Sequence, residues 1–338
     1  MRNVELGRTG ERVSQLALGC MRMGTDTPPD ESVRMLDAYV ASGGSFLDTA
    51  DCYAWWSGPT STGGESEALI GRWLRRRGRR DDLFIATKGS AMVREPDKLF
   101  RDTPDGPVAN WDLARKRFQG AGAQTLRDAL DGSLRRLGTD HVDLYYVHVD
   151  DWSTPLEETL EALAGIVRSG KARHIGWSNV RTWRLERIRH LCERNDWPAP
   201  VAVQQEHSYL RRRAGLHHVS IVDDEQVEYL AVHDDLTLVA YSPILKGLYD
   251  AADPARHQAM WAYAGPDADA RIAAARAVAD RVGATGNQVV LSWLMNATDP
   301  TRVALMGPRT FAQYESAMGA LDVKLTPEQI AALDAAEG

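Results

Sequence analysis

Four polar residues fall at or just after the ends of short apolar runs. Asp48 follows Ser45-Phe46-Leu47, Tyr53 lies five residues further on, Lys88 follows the run 83–87, and His148 follows the run 142–147. A tyrosine, a lysine, an aspartate and a histidine brought together make a proton-donating device. Free tyrosine titrates near ~10 and is a poor acid at neutral pH. An adjacent ammonium favours the phenolate and is expected to lower that pKa, while a carboxylate orients the lysine and balances its charge. The histidine can hydrogen-bond a carbonyl oxygen and hold it in line. General acid catalysis of this kind contributes roughly 10²–10⁴ in rate. Each residue taken alone has a plainer reading: a strand-end cap for Asp48, a surface charge for Lys88, a core histidine for His148, packing for Tyr53. Four coincident strand-end placements carry the argument.

The elements that must position them alternate in kind. Short apolar runs at 16–18, 45–47, 83–87, 142–147, 172–176, 201–204, 236–240 and 303–306 read as eight strands buried on both faces. Amphipathic segments lie between them, at 30–42, 67–77, 125–137, 158–168, 181–194, 225–233, 268–282, 287–296 and 310–321, with a last helix from Thr326-Pro327. Proline starts and glycine stops punctuate several of them, as Pro28-Pro29 and Gly43-Gly44 do for the first. This rhythm predicts an α/β fold, a (β/α)₈ barrel in a single domain over residues 1–338. Residues 4–13, with glycines at 7 and 10, read as an N-terminal β-hairpin closing the bottom of the barrel. Segments 89–122 and 244–266 are long for simple connections. Both follow strands, so both are expected at the C-terminal face, where barrel active sites are built. Their Trp, Phe and Met content reads as lids or pocket walls.

Composition narrows the function. A formal net charge of −7 over 338 residues argues against a dedicated nucleic-acid binder. The densest basic run, Arg75-Arg76-Arg77 with Arg79 and Arg80, reads as a solvated helix terminus. Three cysteines imply no disulfide framework and fit a reducing, cytoplasmic location. Met1-Arg2-Asn3-Val4-Glu5 lacks the apolar core of a signal peptide, and no apolar run approaches the ~18 residues of a membrane span. No Gly-x-Gly-x-x-Gly follows a strand, which argues against a Rossmann dehydrogenase. His141, Asp143, His148, Asp150 and Asp151 are metal-ligand types, but the first two begin a strand that His148 ends. No metal centre is expected. No extended apolar or coiled-coil stretch announces an interface, so the oligomeric state stays open.

Longer stretches resemble the aldo-keto reductase family. Phe46-Leu47-Asp48-Thr49-Ala50-Asp51-Cys52-Tyr53 and Gly64-Glu65-Ser66-Glu67-Ala68-Leu69-Ile70-Gly71 look like its opening signature. Ala86-Thr87-Lys88, Asp143-Leu144-Tyr145-Tyr146-Val147-His148 and Gly170 to Asn179 continue it in order. Val203-Gln204-Gln205-Glu206, Val239-Ala240-Tyr241-Ser242-Pro243 and Gly307-Pro308-Arg309-Thr310 complete it. The resemblance implies a nicotinamide-dependent reductase in which Tyr53 is the general acid, Asp48 and Lys88 tune it, and His148 orients the carbonyl. It places Ser178, Asn179 and Gln204 at the nicotinamide carboxamide and Tyr241 against the ring. Ser242, Pro243 and the backbone near Leu245 and Gly247 fall at the pyrophosphate, and Gly307, Arg309, Thr310 and Gln313 at the adenosine phosphate end. Where family members often carry Glu-Asn, this chain has Ser316-Ala317, which implies rearranged adenine contacts. Arg309 is the obvious clamp for a 2′-phosphate, so NADPH is expected over NADH.

The expected reaction is reduction of an aldehyde or ketone to an alcohol, with a small carbonyl compound as partner and neither nucleic acid nor membrane. Trp55 and Trp56 follow the proposed acid, and Trp111 and Trp152 lie in loops on the same face; they are candidates for an aromatic substrate pocket, with loop packing the plainer reading. The alternative is a nucleotide-binding sensor or regulatory subunit on the same barrel, with little turnover.

Overall fold

Eight short strands form a closed barrel in a computed structural model that describes residues 1–337. In chain order the strands are β1 (Asn3–Glu5), β2 (Arg12–Ser14), β3 (Leu16–Gly19), β4 (Phe46–Asp48), β5 (Phe84–Gly89), β6 (Phe100–Thr103), β7 (Gly106–Ala109), β8 (Val142–Val147), β9 (Ala172–Ser178), β10 (Ala202–Glu206), β11 (Thr237–Tyr241) and β12 (Arg302–Met306). The barrel runs β10-β11-β12-β3-β4-β5-β8-β9 and closes on itself; β1 pairs with β2, and β6 with β7, as separate antiparallel hairpins. Every residue of β4, β5, β8 and β12 is buried. That two-sided burial is why these runs read as continuous apolar stretches.

The helices are α1 (Pro29–Ala41), α2 (Glu65–Arg77), α3 (Trp111–Arg115), α4 (Ala123–Leu137), α5 (Leu156–Arg168), α6 (Thr182–Asn195), α7 (Asp224–Val232), α8 (Met260–Tyr263), α9 (Ala268–Val282), α10 (Gly286–Asn296), α11 (Phe311–Met318) and α12 (Pro327–Asp334). Local chemistry sets their ends. Thr285 and Thr326 each accept from a backbone N–H three residues on, where Gln288 and Gln329 return the bond. Gly78, Gly138 and Gly283 end α2, α4 and α9 in the left-handed conformation. None of the described helices is long and apolar enough to cross a membrane.

The chain packs as two compact units, Leu18–Val203 and Met1–Ala17 with Gln204 onward. In the first, β4, β5, β8 and β9 pair in parallel, with Asp48 opposite Ala86 and Lys88 opposite Tyr146. Segment 89–122 folds there as the β6–β7 hairpin and α3, and it is a wall rather than a loop. Its Val93, Leu99, Ala109 and Ala114 pack with Tyr53 and Trp55. In the second unit the β1–β2 hairpin docks at the start of β11, where the Gly7 backbone N–H donates to Thr237 at 2.7 Å. The basic run after α2 departs from its expected solvated state at one residue. Arg80 is largely buried and ion-paired with Asp143 at 2.7 Å, tying that turn to the root of β8.

Candidate active site

β4 and β5 are adjacent and in register, so the residues at their ends must meet. The Lys88 ammonium is fully buried and has three protons to place. It donates one to Asp48 Oδ1 at 2.5 Å, one to the Thr49 carbonyl at 2.8 Å and one to Tyr53 Oη at 3.1 Å. All three donors are used, which is what makes a charge tolerable at that depth. The turn that carries Tyr53 is sewn to the next strand. The Thr49 and Asp51 N–H groups donate to the carbonyls of Ala86 and Lys88, and Gly64 N–H donates to the Tyr53 carbonyl.

His148 joins from β8. Its backbone N–H donates to the Gly89 carbonyl at 2.9 Å, and its ring lies edge-on to Tyr53 with centroids 5.5 Å apart. The structure therefore brings Asp48, Tyr53, Lys88 and His148 together. Burial pushes the imidazole well below its usual range, helped by the Lys88 charge, so the ring is neutral near pH 7.

One electrostatic expectation is reversed. The phenol of Tyr53 is held well above the usual tyrosine range, first by burial and then by the Asp48 charge. Asp48 offsets the ammonium that would otherwise draw the phenol down. Tyr53 is thus a protonated hydroxyl with its oxygen already accepting from Lys88.

Two neighbours escaped the sequence reading. Asp51 is 2% exposed, and burial followed by the Glu67 charge pushes its carboxyl up to about 8. The Cys52 sulfur lies 3.5 Å from His148 Nδ1. Their place inside the Asp48–Tyr53 stretch was the available signal.

Trp55, Trp56 and Trp111 form one aromatic cluster. Trp55 and Trp56 lie 5.1 and 5.4 Å from Trp111, and Trp56 meets the Tyr53 ring at 6.0 Å. Trp152 stands apart at 64% exposure, packed on Trp183 and under the Arg184 guanidinium, with its indole N–H on Asp150. Ser178 ends β9, and the next residue, Asn179, is left-handed with φ 53°. Its amide donates to the His148 carbonyl at 2.7 Å and to Ser178 Oγ at 3.0 Å.

In the other unit Gln204 is buried on β10, and Tyr241 ends β11. The Pro243 carbonyl accepts from Ser208 Oγ at 2.5 Å. Ser242 is left-handed at φ 52°, and Leu245, Lys246 and Gly247 follow in one left-handed run at 47°, 60° and 91°. Gly307 follows β12 with open space where a side chain would stand. Thr310 caps α11 by accepting from the Gln313 N–H, while the Gln313 side chain takes the Arg309 N–H at 2.8 Å. Amide side chains, left-handed turns and an open glycine at a capped helix start are a donor set suited to a dinucleotide.

Comparison with known proteins gives a consistent result. The family model described as Aldo/keto reductase family matches residues 15–337. An uncharacterized oxidoreductase, YrpG, of Bacillus subtilis is 32% identical over 96% of this chain and 92% of its own length. The norsolorinic acid reductase stcV of Emericella nidulans is 28% identical over 95% of this chain and 77% of its own. Among solved structures, the thermostable aldo-keto reductase Tm1743, in complex with the inhibitor epalrestat, superposes with a TM-score of 0.71. It is 27% identical, with 99% of both chains covered.

Proposed function

Because this chain belongs to the aldo/keto reductase family, we propose that it is an NADPH-dependent reductase of an aldehyde or ketone in which Tyr53 donates the proton. The observation that carries the reading is the buried Lys88 ammonium, bonded at once to Asp48, Thr49 and Tyr53. A reduced nicotinamide, when bound, supplies the hydride to the carbonyl carbon. Tyr53 passes its proton to the carbonyl oxygen as that oxygen becomes basic, and Lys88 stabilises the phenolate left behind. Asp48 holds the ammonium in place. Neutral His148 donates a hydrogen bond to the same oxygen and sets its approach. Solvent then returns a proton to Tyr53.

On the Leu18–Val203 unit, Ser178 and Asn179 are assigned to the carboxamide of the cofactor. On the other unit, Gln204 shares that role and Tyr241 stacks on the ring. Ser242, Pro243, Leu245 and Gly247 take the pyrophosphate, and Gly307, Arg309, Thr310 and Gln313 take the adenosine phosphate. Trp56 and Trp111 form the wall against which a flat substrate packs, while Trp55, at 1% exposure, is core packing behind them. Cytoplasmic residence and a single reductase domain belong to the same proposal.

The test is a paired titration of NADPH and NADH by quenching of tryptophan fluorescence, followed by absorbance of the nicotinamide band with a panel of carbonyl compounds. Carbonyl-dependent oxidation is expected, with NADPH bound more tightly. Arg309→Ala is expected to weaken NADPH about tenfold, or ~1.4 kcal/mol, and to leave NADH unchanged. Tight binding with no oxidation across the panel would favour a nucleotide sensor instead.

A further inference from the structure

Asp51, Cys52 and His148 each offer one ligand atom, and those atoms lie within 4.8 Å of one another. The first two side chains are buried, at 2% and 3% exposure, and His148 is partly open. Cys52 Sγ and His148 Nδ1 are 3.5 Å apart. A tetrahedral zinc-class ion, with sulfur at about 2.3 Å and nitrogen at about 2.0–2.1 Å, holds two such atoms about 3.5 Å from each other. The spacing is therefore that of a bridged pair.

Asp51 supplies a second, independent observation. Its Oδ1 is buried and accepts no hydrogen bond, and an acceptor left unsatisfied at that depth is destabilising. The charges around it are already matched: Asp48 pairs with Lys88, and Glu67 with Arg136. Asp51 has no ion-pair partner among the described residues, and with its carboxyl pushed up to about 8 the corner holds a proton that a cation can replace.

We propose that a carboxylate oxygen of Asp51, Cys52 Sγ and His148 Nδ1 bind one borderline-soft divalent ion, zinc or its analogue cobalt(II), with water as the fourth ligand. Thiolate, imidazole and one carboxylate select this class over magnesium or calcium, which take oxygen ligands. On binding, the Cys52 S–H bond and the Asp51 carboxyl O–H bond break, and both protons go to solvent as the sulfur–metal and oxygen–metal bonds form. The carboxylate and imidazole each donate a lone pair, and nothing is oxidised or reduced. The site stands on these three atoms whatever part His148 plays in turnover.

The test uses the full chain, stripped with chelator and titrated with cobalt(II) alone. Expected are a sulfur-to-cobalt charge-transfer band in the near ultraviolet and the intense visible bands of four-coordination. They should saturate at one ion per chain and be displaced by zinc. Cys52→Ser should abolish the charge-transfer band, whereas Cys20→Ser and Cys192→Ser should keep it. Asp51→Asn and His148→Gln should keep the band but weaken cobalt binding by about tenfold or more. Far-UV circular dichroism establishes that each variant is folded, and the Asp51 and His148 variants decide the matter if Cys52→Ser does not fold. No charge-transfer band with cobalt in large excess overturns the proposal. So does a band that survives Cys52→Ser, or cobalt affinity unchanged in both Asp51→Asn and His148→Gln.

Discussion

In the Leu18–Val203 unit, Lys88 sits at zero exposure with every ammonium proton placed on a neighbour, and Asp48 and Tyr53 are buried around it. In the other unit, the residues assigned to the cofactor behave differently. Leu245, Lys246 and Gly247 hold three successive left-handed conformations, and Gly307, Arg309 and Gln313 are exposed. The first region is assembled before any ligand arrives, by side chains that satisfy one another. The second stores backbone strain of about 1–3 kcal/mol at each left-handed non-glycine residue. The difference follows from the tasks. Proton transfer needs a fixed, dry arrangement of charges, whereas gripping a phosphate chain needs backbone and side-chain donors left turned outward.

The comparison breaks first at Lys88. Lys88→Met keeps much of the volume but strands the Asp48 carboxylate in the interior. Unfolding in urea should report a loss of about 3–5 kcal/mol. Arg309→Ala, at the exposed start of α11, should move the same quantity by under about 0.5 kcal/mol. Equal losses in the two variants would erase the distinction between the regions.

Acid sharpens it next, because among the buried polar atoms of the second unit is one on a histidine. His207 follows β10 with its Nε2 buried and without a hydrogen bond. Burial, and then the charge of Arg302, holds its pKa down to about 3; the Trp293 ring is its other neighbour. The folded pKa lies below the unfolded value near ~6.5, so the folded state resists a proton that the unfolded chain accepts. Its stabilising contribution is complete above that unfolded value and is lost as pH falls toward 3. Between pH 7 and pH 5 wild type should lose about 2 kcal/mol more than His207→Gln does. Parallel pH profiles would remove His207 from the account.

Gly247 gives a smaller effect than Lys88 or His207. A Cβ there would meet nothing nearer than Asn287 Nδ2 at 3.9 Å, so Gly247→Ala costs backbone strain rather than space. A loss of about 1–2 kcal/mol is expected. Weaker nucleotide binding should accompany it, with no change in the Lys88 network as read by the carbonyl KM.

Much of this was legible in the sequence because it depends on period and punctuation. All eight barrel strands fall on the apolar runs read for them, and Asp48, Lys88 and His148 meet because adjacent parallel strands end at one level. What was not legible depends on distant neighbours. The β6–β7 hairpin is built from Phe-Arg-Asp-Thr and Gly-Pro-Val-Ala, too short and polar to read as strands. Trp152 is drawn to Trp183 and Arg184 on α6, which no local pattern announces. The direction of the Tyr53 shift depends on how deeply the phenol is buried and on Asp48 offsetting Lys88. Residue types alone predicted the opposite sign.

The most direct test of the central claim is steady-state reduction of a carbonyl substrate by Tyr53→Phe, with NADPH affinity measured on the same sample. The account predicts a fall in kcat of about 10²–10⁴ with nucleotide affinity unchanged. A Phe variant that keeps near-native kcat would contradict it, and the proton would have to come from another group.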